Sequence, residues 1–121
     1  MSDPAVSRAP AEIELDPAEV GERLGREPQP QLIDVREPYE HDAGHIAGDR
    51  HIELVELSSQ AGTLEQGRAV VFYCRSGSRS LMAAQAFRAS GFEAYSMAGG
   101  LLRWVQEGRT LAPEGGQVAD H

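Results

Sequence analysis

Ala69-Val70-Val71-Phe72-Tyr73-Cys74-Arg75-Ser76-Gly77-Ser78-Arg79-Ser80-Leu81 is the stretch on which the reading of this chain turns. Its first five residues are continuously apolar and rich in β-branched side chains, as a strand buried on both faces of a parallel sheet reads. Cys74 ends that run. Residues 76–80 are small and polar and contain a glycine, which reads as a loop. From Leu81 to Ala89, the residues Leu81, Ala84 and Phe87 recur at helical spacing until Gly91 breaks the pattern. Strand, loop and helix in that order put Cys74 at the carboxyl end of a strand, where open α/β sheets bind their ligands.

The same alternation runs outward in both directions. Upstream, Glu12–Leu15 alternates as an edge strand would. Asp16 as N-cap, Pro17 at the first helical position and Glu19 closing a capping box predict a helix to Leu24, stopped by Gly25. Gln31–Val35 reads as a buried strand, Pro38–His41 as a short helix, His51–Leu54 as a brief strand and Val55–Gln60 as another short helix. Downstream, Glu93–Met97 reads as a last strand and Leu101–Glu107 as a helix carrying Trp104. Strands alternating with helices predict an α/β fold with a mostly parallel sheet. Residues 1–11 read as a flexible lead-in, residues 12–112 as one domain, and residues 113–121, with Pro113, Gly115 and Gly116, as a loose tail.

Composition narrows the chemistry. The chain has 121 residues, 19 acidic against 11 basic, and a formal charge of −8. All eleven basic residues are Arg, so a Lys Schiff base and a Walker-type phosphate Lys are excluded. Cys74 is the single cysteine, which excludes an internal disulfide and a Cys-rich zinc site. The acidic balance disfavours nucleic acid and anionic membranes as partners. Met1–Pro10 has no apolar stretch of the signal-peptide kind, and no run is long enough to span a membrane. A cytoplasmic protein is therefore expected, and the unpaired thiol agrees with a reducing compartment.

A lone cysteine after an apolar strand is by itself commonly an inert buried thiol. The residues around Cys74 argue otherwise. Gly77 lets a run of backbone N–H groups wrap into an anion-binding nest, and the helix behind it adds about half a positive charge. Arg75 and Arg79 contribute two full charges, and Ser76, Ser78 and Ser80 contribute hydroxyls. Such surroundings favour the thiolate over the thiol, and a thiolate at the base of an anion cradle attacks electrophiles that arrive as anions. Phosphate esters, arsenate and sulfane sulfur compounds such as thiosulfate all qualify.

Three stretches together resemble the single-domain rhodaneses, the thiosulfate sulfurtransferase-like family. Leu32-Ile33-Asp34-Val35-Arg36-Glu37-Pro38-Tyr39-Glu40 through Gly44-His45-Ile46-Ala47-Gly48 resembles the family's N-terminal signature. Cys74–Ser80 resembles its active-site loop, and Met97-Ala98-Gly99-Gly100-Leu101-Leu102-Arg103-Trp104 its C-terminal signature. The resemblance covers about residues 12–112. It implies a central parallel five-stranded sheet flanked by helices on both faces. It also implies a Cys74 persulfide that carries sulfur from a small anionic donor to cyanide or a thiol, with thioredoxin and glutathione among the candidate acceptors. Arg75 and Arg79 would hold the oxyanion end of thiosulfate, and Ser76, Gly77, Ser78 and Ser80 would support the outer sulfur. No metal or organic cofactor is needed, because sulfur is itself the transferred electrophile. A monomer is expected.

Four residues separate Cys74 from Arg79, whereas the related phosphatase and arsenate-reductase loops resemble C-x5-R, one residue wider for a tetrahedral phosphate. Those enzymes remain an alternative, as does a rhodanese-like module that binds a protein partner or only carries sulfur. Ala47 and Asp49 depart from the usual Pro and Ala of the signature, and local backbone adjustment is expected there. Asp34 and Arg36 read as an ion pair tying a strand end to nearby loops. His41, His45 and His51 read as spread over a loop and a strand, without a metal. Trp104 reads as packing. Replacing Arg79 by Ala is expected to weaken thiosulfate capture while leaving the fold intact.

Overall fold

Val70, Phe72 and Cys74 face one side of the central strand, and Val71 and Tyr73 face the other. That period of two, with both faces apolar, is what a strand in the middle of a three-layer α/β structure requires. The computed structural model describes residues 12–120, so the lead-in expected over 1–11 lies outside the described residues. The central strand, β4 (Val70–Tyr73), lies between β2 (Gln31–Asp34) and β5 (Ala94–Met97). The short β3 (Arg50–His51) flanks β2, and β1 (Glu14–Leu15) flanks β5. All pairings are parallel, in the order β1-β5-β4-β2-β3.

Helices cover both faces, as expected. α3 (Leu57–Gln60) and α4 (Ser78–Ala89) pack Leu57, Ala83, Ala84 and Phe87 against Ile33, Val70 and Phe72. On the other side, α1 (Pro17–Leu24) and α5 (Gly100–Gln106) pack Val20, Leu101 and Trp104 against Leu32, Val71 and Tyr73. Trp104 is thus core, its indole N–H donating to the Thr110 carbonyl at 2.9 Å. The fifth helix, α2 (Pro38–Ala43), follows β2 directly and lies at the carboxyl end of the sheet.

Three local differences from the sequence reading have physical causes. Asp16 caps α1 by accepting from the Glu19 N–H at 2.9 Å, but the Glu19 carboxylate turns to Arg23 at 2.8 Å instead of closing the box. α4 starts at Ser78, three residues before Leu81, because Gly77 takes φ +107° and turns the chain straight into the helix. Of the tail expected to be loose over 113–121, residue 121 lies outside the described residues and residues 117–120 are seated. The Gln117 N–H donates to the Ala43 carbonyl at 2.8 Å, and Val118 packs half-buried on the α1/α5 side of the core.

Asp34, at the end of β2, and Arg36 form the fully buried ion pair expected from the sequence. Arg36 donates through Nε to Asp34 Oδ1 at 2.9 Å and through Nη2 to Oδ2 at 2.7 Å, and Nη2 also reaches the Gly44 carbonyl at 2.8 Å. Burial pushes the Asp34 carboxyl up. The hydrogen bonds and charge of Arg36, with the His41 hydrogen bond, outweigh it and hold the group below its ordinary value. The pair's stabilisation is therefore complete above about pH 4, where the unfolded carboxyl is ionised, and fades as pH falls through the lower folded value. Asp34→Asn strands the Arg36 charge in the core and is expected to cost about 3 kcal/mol at neutral pH. Urea unfolding at about pH 7 and about pH 3 measures it, and the gap between the two proteins should shrink at the lower pH.

Candidate active site

The loop after β4 is held from behind before it holds anything in front. The Leu101 and Leu102 N–H groups at the start of α5 donate to the carbonyls of Cys74 (2.8 Å) and Arg75 (3.0 Å). Any side chain at Gly100 would run into those same carbonyls, so only glycine lets the two segments close. With its carbonyls turned back toward α5, the loop can turn its amides forward.

Those amides converge on sulfur. Cys74 Sγ accepts from the Gly77 N–H at 3.1 Å and from the Ser80 N–H at 3.4 Å, with Ser80 Oγ at 3.5 Å. Cys74 is fully buried. Ser80 Oγ is shared with Ser96 Oγ on β5 at 2.7 Å and donates to the Gly77 carbonyl at 3.2 Å, so its position is fixed by three partners. Two backbone donors at the N-terminus of a twelve-residue helix stabilise a negative sulfur through oriented dipoles, with no reorganisation when charge develops. Of the seven loop residues singled out from the sequence, Cys74, Gly77 and Ser80 meet at Sγ. Ser76 and Ser78 are exposed.

The two arginines do not stand free. Arg79 forms a fork with Glu40, Nη1 to Oε1 at 2.9 Å and Nη2 to Oε2 at 3.1 Å, and Glu40 is fully buried. Glu40 Oε1 also accepts the Glu37 N–H at 3.0 Å. Burial pushes the Glu40 carboxyl up, but the Arg79 hydrogen bonds outweigh it and keep it ionised. Arg79 also lies close enough to Cys74 for the two to interact electrostatically. Arg75 donates through Nε to the Ala119 carbonyl at 3.1 Å, with Nη2 3.8 Å from an Asp120 carboxylate oxygen. The strongly cationic mouth expected from the sequence is therefore balanced, each guanidinium facing a carboxylate.

The histidines also differ from the sequence reading. His41 is sandwiched between His45 and His51, with ring centroids 3.9 Å and 4.6 Å away and interplanar angles of 11° and 18°. His41 Nδ1 bonds Asp34 at 2.8 Å, His45 Nδ1 bonds the His41 carbonyl at 3.0 Å, and His51 Nε2 bonds the Arg36 carbonyl at 2.7 Å. His41, His45 and Asp49 bring potential ligand atoms within 4.8 Å of one another. In both rings Nδ1 is already engaged, that of His41 by Asp34 and that of His45 by the His41 carbonyl. Asp49 accepts the Tyr73 O–H at 2.6 Å, which accommodates its departure from the family signature, and lies 3.7 Å from His41 Nδ1.

Sequence reasoning missed Glu40, Ser96, Ala119 and Asp120. Ser96 carried a signal, a lone polar residue inside an apolar strand. Glu40 carried none, since its partner is 39 residues away.

Comparison with known proteins agrees with this architecture. The family model for the rhodanese-like domain matches residues 16–107, and the chain belongs to that family. It is 43% identical over 75 residues to the uncharacterized protein YqhL of Bacillus subtilis, covering 61% of this chain and 60% of that one. It is 30% identical over 104 residues to a sulfurtransferase of Allochromatium vinosum, covering 84% of this chain and 97% of that one. The crystal structure of a rhodanese-related protein from Thermoplasma volcanium superposes with a TM-score of 0.77 at 28% identity, covering 84% of this chain and 98% of that one. The chain thus spans three-fifths of YqhL and nearly all of the other two. Among the described residues, no helix is long and apolar enough to cross a membrane.

The Glu40–Arg79 fork revises one expectation from sequence. Arg79→Ala strands a buried carboxylate, so the variant should be less stable by about 2 kcal/mol, short of a fully buried pair because Arg79 is partly exposed. Adding Glu40→Gln to Arg79→Ala should restore a good part of that loss. Urea denaturation of wild type, both single variants and the double variant provides the cycle.

Proposed function

We propose that the protein is a sulfurtransferase working through a persulfide on Cys74. The observation that carries this reading is the pair of amides, Gly77 and Ser80, aimed at Cys74 Sγ. The Cys74 thiolate attacks the outer, sulfane sulfur of thiosulfate or a similar anionic donor. The new S–S bond forms as the donor's own S–S bond breaks, and sulfite leaves with the electron pair. A thiophilic acceptor, cyanide or a thiolate, then takes the outer sulfur and returns the electron pair to Cys74. Charge rests on sulfur at each stage, and the amides meet it without moving. Ser76 and Ser78, exposed beside the nest, are available to the donor's oxygens, and Arg79 interacts electrostatically with Cys74.

The sulfurtransferase name of the A. vinosum relative supports this class of reaction. Cys74 is the chain's single cysteine, so no internal thiol can resolve the persulfide and the acceptor must come from outside. An external acceptor suits a free thiol in a reducing, cytoplasmic setting.

Incubation with thiosulfate should add about 32 Da, one sulfur atom, to the intact protein, and cyanide should remove it. Cys74→Ser should gain nothing. An unmodified wild type, or the same adduct on Cys74→Ser, would overturn the mechanism.

A further inference from the structure

Residues 112–120 cross the carboxyl end of the sheet beside the Cys74 loop. His45 and Ala112 exchange two backbone hydrogen bonds, at 2.9 and 2.7 Å, as an antiparallel bridge. The Gln117 N–H donates to the Ala43 carbonyl, and the Tyr39 hydroxyl donates to the Asp120 carbonyl at 3.2 Å. The approach at Gly44 is backbone on backbone. A methyl group there would come 2.5 Å from the Gln117 carbonyl oxygen, although Gly44 itself has an extended φ of 171° that any residue adopts. At the far end of this strap, the Ala119 carbonyl takes the Arg75 Nε–H and the Asp120 carboxylate faces Arg75 Nη2.

Arg75 is therefore the cation of the loop whose partner can leave. Arg79 is locked to a carboxylate buried in the domain, whereas Arg75 is held by a surface segment with an exposed Asp120. We propose that residues 112–120 act as a built-in brake on anionic donors. With the strap seated, Arg75 is engaged by Ala119 and Asp120. With it released, Arg75 is free to pair with the oxyanion end of a donor at Cys74. Strap and anion then compete for one guanidinium, so each weakens the other's binding by the same factor. The proposal rests on the reading that Cys74 receives an anionic donor, and it identifies what regulates that step.

Alkylation of Cys74 in the full chain tests the brake without requiring sulfur transfer. Iodoacetate carries a negative charge and iodoacetamide does not, so the ratio of their rates reports the cation at the mouth. Two variants unseat the strap from different contacts without changing its charge: Gly44→Ala, which collides with Gln117, and Val118→Asn, which places an uncharged amide in its half-buried anchor. In both, hydrogen exchange at the Gln117 amide should quicken and the iodoacetate-to-iodoacetamide ratio should rise by about threefold, the scale of a partly exposed charge contact. In an Arg75→Ala background, the same two changes should leave the ratio flat. A Gln117 amide that stays protected in both variants overturns the strap. An unchanged ratio, or a rise that persists without Arg75, overturns the brake. If the ratio responds as expected while thiosulfate leaves no adduct on wild type, the persulfide reading fails and the brake stands.

Discussion

A buried run of alternating charges organises the carboxyl end of this sheet. Asp34 is bonded to Arg36, Arg36 lies in the field of Glu40, Glu40 is forked by Arg79, and Arg79 lies in the field of Cys74. Asp34, Arg36 and Glu40 are fully buried, and a charge left unpaired there would cost several kcal/mol. Each member is therefore tolerable only because its neighbours are present. The run joins β2, the turn after it and α2, one continuous stretch, to α4 beside the site.

Backbone fit accomplishes what the charges leave undone. Gly100 lets α5 donate into the back of the cysteine loop, and Gly77 turns the chain so that α4 begins soon after Cys74. With the carbonyls of Cys74 and Arg75 engaged from behind, the amides of Gly77 and Ser80 point at sulfur. The Ser80–Ser96 bond then fixes the first turn of α4 to β5. The nest is a product of two helix N-termini meeting one strand end, the geometry that open α/β sheets offer at their ligand edge.

How much of this is legible in the sequence depends on the range of the interactions. Val70–Tyr73 declares itself a central strand because both of its faces are buried, and Cys74 stands out because its neighbours in sequence are also its neighbours in space. The mostly parallel sheet emerges from the same local patterns, whereas its five strands and the helices on both faces are what the family resemblance implies. Sequence spacing puts the start of α4 too late because one glycine torsion, not composition, decides where a loop becomes a helix. The Glu40–Arg79 fork and the seating of residues 113–120 join segments far apart in the chain, and the stack of His45, His41 and His51 depends on how the turn after α2 folds back, which spacing alone does not state. Proline and glycine in 113–116 mark a turn, but they are silent on whether residues 117–120 dock. That is decided at Gly44, whose missing side chain makes room for Gln117.

Charge at the site is therefore subtler than two arginines beside a cysteine. The chain as a whole carries −8, which at long range repels a small dianion. Near the loop, Glu40 offsets Arg79 and Asp120 faces Arg75, so side chains supply little net attraction either. What remains is directional: backbone N–H groups whose dipoles favour negative charge only within hydrogen-bonding distance. An arrangement of that kind is selective for position more than for charge, since it stabilises a sulfur anion seated in the nest and does little to draw anions from solution. Long-range capture needs an unpaired cation, and Arg75 is the loop residue whose partner lies in a surface strap. On the proposed reading, the fold separates holding sulfur, fixed by backbone, from recruiting its donor, which the strap of residues 112–120 would govern.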